Sequence, residues 1–182
     1  DEVAALHLKA VVWFEDQGYA GEAVDHALRS GELQRVKALI LKHWNSVLHR
    51  GEVATLLRWL DALPEQGPAG EKAPASDPFV SLARCWALFL SGQGAAIAPH
   101  LERASEACEL LVSEGVLDGV LQSEVAAHLA MMRSVLARSL GQHAESVSHA
   151  EEAVRLLAPA TLEGAGTAWN MLGAARAGTG DY

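Results

Sequence analysis

The chain has 182 residues, half of them hydrophobic, and a formal charge of −9 at neutral pH. That length allows a substantial core in one domain or one array of repeats. The acidic balance, with no basic stripe in either half, speaks against holding DNA or RNA backbone, and no apolar run reaches the roughly 18 residues of a membrane helix.

Ala and Leu dominate, both strong helix formers, so the expected fold is all-α. Residues 3–16 place Leu6, Ala10, Trp13 and Phe14 at i, i+4, i+7 and i+8, one helical face. Gly18 follows, then a short helix over 21–29 with Ala23, Ala27 and Leu28 inward and Gly31 at its end. Residues 32–49 turn Leu33, Val36, Ile40, Trp44, Val47 and Leu48 to the core. After Gly51, Glu52 opens a helix where its charge suits the N-terminal dipole, with Val53, Leu56, Leu57 and Leu60 inside. Leu63-Pro64 stops it, because the residue before a proline is pushed out of the α region.

Residues 64–76 read P-E-Q-G-P-A-G-E-K-A-P-A-S, with three prolines, two glycines and no large apolar side chain. They predict a mobile linker between helices at 1–63 and a second block at 77–182. Asp77 before Pro78 is an N-cap with proline in the first turn, and Phe79, Leu82, Trp86 and Phe89 continue that helix to near Gly92. Pro99 interrupts the next pattern, giving a first turn up to Ala98 and a main helix with Leu101, Ala104, Cys108 and Leu111 inward, closed by Gly115. Residues 119–140 form the longest helix, carrying Leu121, Val125, Leu129, Met132, Leu136 and Leu140. Gly141 separates it from 143–157, with Val147, Ala150, Val154 and Leu157, and a last helix spans about 161–178.

Within that last helix W-N-M-L-G, followed by G-D-Y, matches the first-helix signature of tetratricopeptide-type repeats. Trp169 and Leu172 then share a face, Gly173 is small where a neighbouring helix must approach, and Gly180 ends the helix. Gly92, Gly141 and Gly180 mark equivalent turns, and a small residue, Ala104 or Ala153, falls twelve positions after the first two. The expected architecture is a tetratricopeptide-like array of antiparallel helical hairpins, a right-handed α-solenoid with units stretched beyond the usual period of about 34; a bundle without repeats is the alternative. Because Tyr182 falls where the partner helix should start, the chain reads as a piece of a longer array whose last helix leaves an apolar face open to self-association.

Few residues suggest chemistry. His43/His49 and His143/His149 are six apart, and no H-x3-H occurs, so the eight histidines predict solvent-facing or hydrogen-bonded side chains and no metal. The serines lack a G-x-S-x-G elbow, and Glu151-Glu152 point about 100° apart as a solvated face. Cys85 and Cys108 sit inside apolar patterns, as reduced thiols of a cytoplasmic protein. No secretory leader is recognisable. The expectation is a binding segment with no enzyme activity and no cofactor. Carrying repeat positions across from Gly92, Gly141 and Gly180 puts Trp86, His128, Arg138 and Asn170 on or near the concave face, where they could hold a small polar or anionic ligand or a peptide.

The run H-L-K-A-V-V-W-F-E-D-Q-G at 7–18, then E-A-V-D-H-A-L-R-S-G-E-L at 22–33 and L-H-R-G-E-V-A-T-L-L-R-W-L-D-A-L-P at 48–64, resembles the region after the ATPase and winged-helix parts of MalT-type regulators, the large ATP-binding members of the LuxR family. From Asp77 onward the chain resembles their tetratricopeptide-like sensor domain. The resemblance implies a parent protein with an N-terminal nucleotide switch that binds ATP and a C-terminal helix-turn-helix that binds DNA. In that family the helical array is associated with inducer sensing and self-association. The insert at 64–76 is longer than the family's usual join. A tetratricopeptide adaptor for a protein partner, unconnected with transcription, is the alternative.

This chain carries no G-x-x-x-x-G-K-[ST] phosphate loop and no basic recognition helix. Alone, it is expected neither to turn over ATP nor to bind duplex DNA at physiological salt. Filter binding at micromolar protein and a phosphate-release assay check both; nucleotide turnover above buffer would refute the first.

Overall fold

The structure is a computed structural model that describes residues 2–64, 77–116, 119–157 and 162–180. Among these, every regular element is helical: α1 Glu2–Asp16, α2 Ala20–Ser30, α3 Leu33–His49, α4 Val53–Asp61, α5 Pro78–Leu90, α6 Ala98–Ser113, α7 Gly119–Ser139, α8 His143–Leu157 and α9 Leu162–Thr179, with a 3-10 turn at Gly94–Ala96. The segment expected to be a linker lies, from residue 65 to 76, outside the described residues. Contacts divide the chain into two compact units, 1–87 and 88–182.

One turn chemistry recurs. At Gly141, whose φ is +76°, the Gln142 N–H reaches back to the Ala137 carbonyl and the Gly141 N–H to that of Arg138. This satisfies the last carbonyls of α7 and needs a residue that tolerates the left-handed region. The same six-residue closure links Tyr19 to Phe14, Glu52 to Val47, Gln93 to Leu88 and Val116 to Leu111. Short turns of this kind fold a helix back on its predecessor, and α1–α2, α2–α3, α3–α4, α6–α7, α7–α8 and α8–α9 pack on one another. The result is an all-α array of helices.

In the unit 1–87, α2 and α3 present Val24, Ala27, Val36, Leu39 and Ile40 to the core, and α4 adds Leu56, Leu60 and Trp59, which is 0% exposed. Helix α1 departs from the expected face. Leu6 and Trp13 are exposed, Trp13 at 56%, while Val11 is 1% exposed. Polar partners decide this rotation. His7 Nδ1 lies 2.9 Å from His26 Nδ1 on α2, the Phe14 ring lies 5.1 Å from that of His26, and Glu15 takes Arg35 and Lys42 of α3 at 2.6 and 2.7 Å. The face that satisfies His7, Phe14 and Glu15 leaves the Leu6–Trp13 stripe outside. His7 and His26 are thus hydrogen-bonded helix histidines, one of the two states expected of the histidines. Asp77 caps α5 as expected: its Oδ1 accepts from the Phe79 N–H at 3.0 Å, and its Oδ2 holds Lys37 of α3. Arg84 of α5 pairs with Asp61.

In the unit 88–182, α7 is the central element and touches α6, α8 and α9. Its seam with α8 consists of small residues: Ala130, Ala137, Ser134, Ser146, Ala150 and Ala153 are all buried. Ser134 Oγ donates to the Ser146 carbonyl at 2.8 Å, and Ser146 Oγ donates to the Ser134 carbonyl at 2.9 Å. Helix α9 lays Ala168, Met171, Leu172 and Ala175 against this pair. Three expectations fail here. Leu121 and Leu140, at the two ends of α7, are exposed, because the apolar stripe runs past the length its neighbours cover. Trp169 is 59% exposed although Leu172 is buried, since the 168/171/172/175 face turns inward. Gly173 meets nothing within 4 Å; the close approach is at Gly178, where an added Cβ would sit 2.9 Å from His143 Nδ1.

The serine pair predicts a graded response. Ser146→Ala removes one buried hydrogen bond and is expected to cost about 1 kcal/mol. Ser146→Val also overfills a side-chain position with no exposed surface and is expected to cost about 2–4 kcal/mol in all. Urea unfolding followed by far-UV circular dichroism checks both.

Candidate functional site

Between α6 and α7 the structure leaves a groove of about 320 Å³, at the lower end of the range for small-molecule sites. Its walls follow from helical spacing. Ser105, Cys108, Glu109, Val112 and Ser113 form one continuous face of α6, and Gln122, Val125, Ala126, Leu129 and Arg133 form one face of α7. The two faces stand apart because α7 packs far more closely on α8, where alanine and serine let backbones approach, than on α6.

The floor is apolar: Cys108, Val125 and Leu129 are buried. One end is polar. Arg133 Nη2 donates to Ser105 Oγ at 3.1 Å, and Ser105 Oγ donates in turn to the Leu101 carbonyl at 2.9 Å. Among the described residues the Arg133 guanidinium has no carboxylate partner. Glu109, one helical turn beyond Ser105, is exposed at the rim. Such an arrangement can hold a small molecule with an apolar body and a polar head. No residue pair in it forms a nucleophile and base.

The four residues selected from the sequence are not in this lining. Trp86 lies on α5, 7% exposed, in the unit 1–87. His128, Arg138 and Asn170 lie in the other unit; Asn170 is exposed on α9. On α7, His128 stands about 120° and Arg138 about 160° around the helix axis from the groove face. Arg138 is half-buried, and its side chain has neither hydrogen bond nor ion pair among the described residues. Cys108 is a buried thiol, and it lines the groove. Arg133 escaped the sequence reading. Its signal was present, since it continues the Val125–Leu129 stripe at i+8, an arginine in phase with a buried apolar face.

Two histidines carry an acid sensitivity. Burial pushes the His128 imidazole below its ordinary value near 6.5. His43 is lowered too, first by burial and then by the neighbouring Lys42 charge, and its Nε2 is covered without a hydrogen-bond partner among the described residues. A lowered folded value means the unfolded chain binds the proton more readily. The contribution of these two groups to stability is therefore greatest above about pH 6.5 and falls as pH drops through the interval between the unfolded and folded values. Urea titrations at pH 7.5 and 5.5 should show lower stability at 5.5, and His43→Gln with His128→Gln should reduce that difference.

The chain is similar to larger regulatory proteins. It is 28% identical to the HTH-type transcriptional regulator MalT of Serratia proteamaculans over 156 residues, 86% of this chain and 16% of that protein. It is 29% identical to the serine/threonine-protein kinase PknK of Mycobacterium tuberculosis over 133 residues, 73% of this chain and 11% of the kinase, and matches the PknK of Mycobacterium bovis to the same extent. The chain thus spans less than a fifth of the length of these relatives. No family model matches it, and no solved structure does.

Proposed function

We propose that this chain is the sensor segment of a MalT-type transcriptional regulator, a helical array that binds a small inducer or a protein partner and contributes to self-association. The observation that carries the reading is the similarity to MalT across 86% of the chain, joined to a helical array with no catalytic constellation in its groove. In this reading ATP and DNA are bound by other parts of a cytoplasmic parent protein, and this segment conveys occupancy to them. The α6–α7 groove is the ligand site favoured by geometry. Trp86 in the unit 1–87, and His128, Arg138 and Asn170 in the unit 88–182, stay separate candidates that rest on repeat position alone.

The similarity to PknK, of comparable identity, favours a second reading. A segment found in both a transcription regulator and a protein kinase suits a partner-binding adaptor as well as an inducer sensor. The longer protein that contains this chain separates the two. If it is a regulator, it binds ATP and footprints DNA, and in-frame deletion of 77–182 abolishes the inducer dependence of the footprint while ATP binding persists. A longer protein with neither activity would support the adaptor.

A further inference from the structure

We propose that the α6–α7 groove binds a small monocarboxylate with a short apolar chain, its carboxylate on Arg133 and its chain along Leu129, Val125 and Cys108. The inference rests on the reading of this groove as the ligand site. The unit 88–182 carries five arginines against eleven carboxylates. An arginine in that unit has abundant acidic side chains with which to pair, and Arg176 does pair with Glu151 at 2.8 Å. Arg133 does not. Its one partner among the described residues is the Ser105 hydroxyl, whose own proton is committed to the Leu101 carbonyl. Most of its five N–H donors therefore have no protein acceptor there. The guanidinium of a half-buried arginine at the end of an apolar groove is matched by an anion that takes two parallel N–H donors, the carboxylate geometry.

Glu109 sets the charge of the ligand. It lines the same groove one turn of α6 from Ser105, and no ion pair joins it to Arg133. A dianion such as phosphate would meet this carboxylate, whereas a monoanion is neutralised by Arg133 first. The remaining lining sets the body. From Leu129 to Gln122 the α7 wall extends about 10 Å, with Cys108 and Val112 opposite, so the chain lies against aliphatic carbon and sulfur and ends beside Gln122 and Ser113. A neutral amide or alcohol of the same length would fill the apolar part and leave the arginine donors unanswered.

The test uses the 182-residue chain, methyl-labelled at Val and Leu, titrated with hexanoate, hexanamide, hexanol and inorganic phosphate. Hexanoate is expected to shift the Val112, Val125 and Leu129 methyl signals saturably, with the two neutral analogues and phosphate at least tenfold weaker. Arg133→Gln should weaken hexanoate by tenfold or more and leave hexanol unchanged, with Arg133→Lys in between; Arg155→Gln, exposed on α8, should change nothing. Equal binding of hexanol and hexanoate, or full hexanoate affinity in Arg133→Gln, overturns carboxylate recognition while leaving an apolar ligand groove in place. Absence of any shift with all four probes overturns both the carboxylate and the groove as a ligand site. Circular dichroism establishes that each variant is folded; should Arg133→Gln fail to fold, Arg133→Lys and the hexanol comparison still decide.

Discussion

Two serines set the spacing on which the unit 88–182 depends. Ser134 and Ser146 each donate a hydroxyl proton to the other's backbone carbonyl. Both are buried, so neither has water as an alternative partner, and an unmet buried hydroxyl is costly. The exchange requires α7 and α8 to approach closely, which the alanines at 130, 137, 150 and 153 permit. Closeness on one side of α7 leaves room on the other. α6 meets α7 less closely, and the groove lined by Leu129, Val125 and Cys108 is what remains between them.

The unit 1–87 is organised by charge as well as packing. Glu15, half-buried at the end of α1, is held by Lys42 and Arg35 of α3. The hydrogen bond from Lys42, joined by the Arg35 charge, keeps its carboxyl below the ordinary value of 4.5 against the opposing effect of burial. That pairing contributes stability above the unfolded value, and the contribution is lost as pH falls through the folded one. The two histidines with lowered values add their penalty at higher pH, below about 6.5. Both effects act in the same direction, so the contributions of Glu15, His43 and His128 to stability all fall as pH drops below neutrality.

The binding role proposed for this chain draws on its similarity to both a transcription regulator and a kinase. Its groove is small, its floor is aliphatic, and its single cationic end is poised by a hydroxyl. These features suit recognition of a modest ligand by a helical array.

Helix positions were legible in the sequence because they rest on local physics. Apolar periodicity located the helices within a residue or two, and glycine marked the turns through its access to positive φ. Asp77-Pro78 announced a cap that forms as written. Which face of a helix turns inward was less legible when polar partners from distant chain competed with the apolar stripe. Leu6 and Trp13 make the better hydrophobic pattern on α1, yet His26, Arg35 and Lys42 draw the other face inward. The groove was the least legible feature. Its lining was visible as two stripes and one in-phase arginine, but a groove exists only if two helices stand apart. That separation was decided by the closer packing of α7 on α8, a tertiary fact that no single stripe contains.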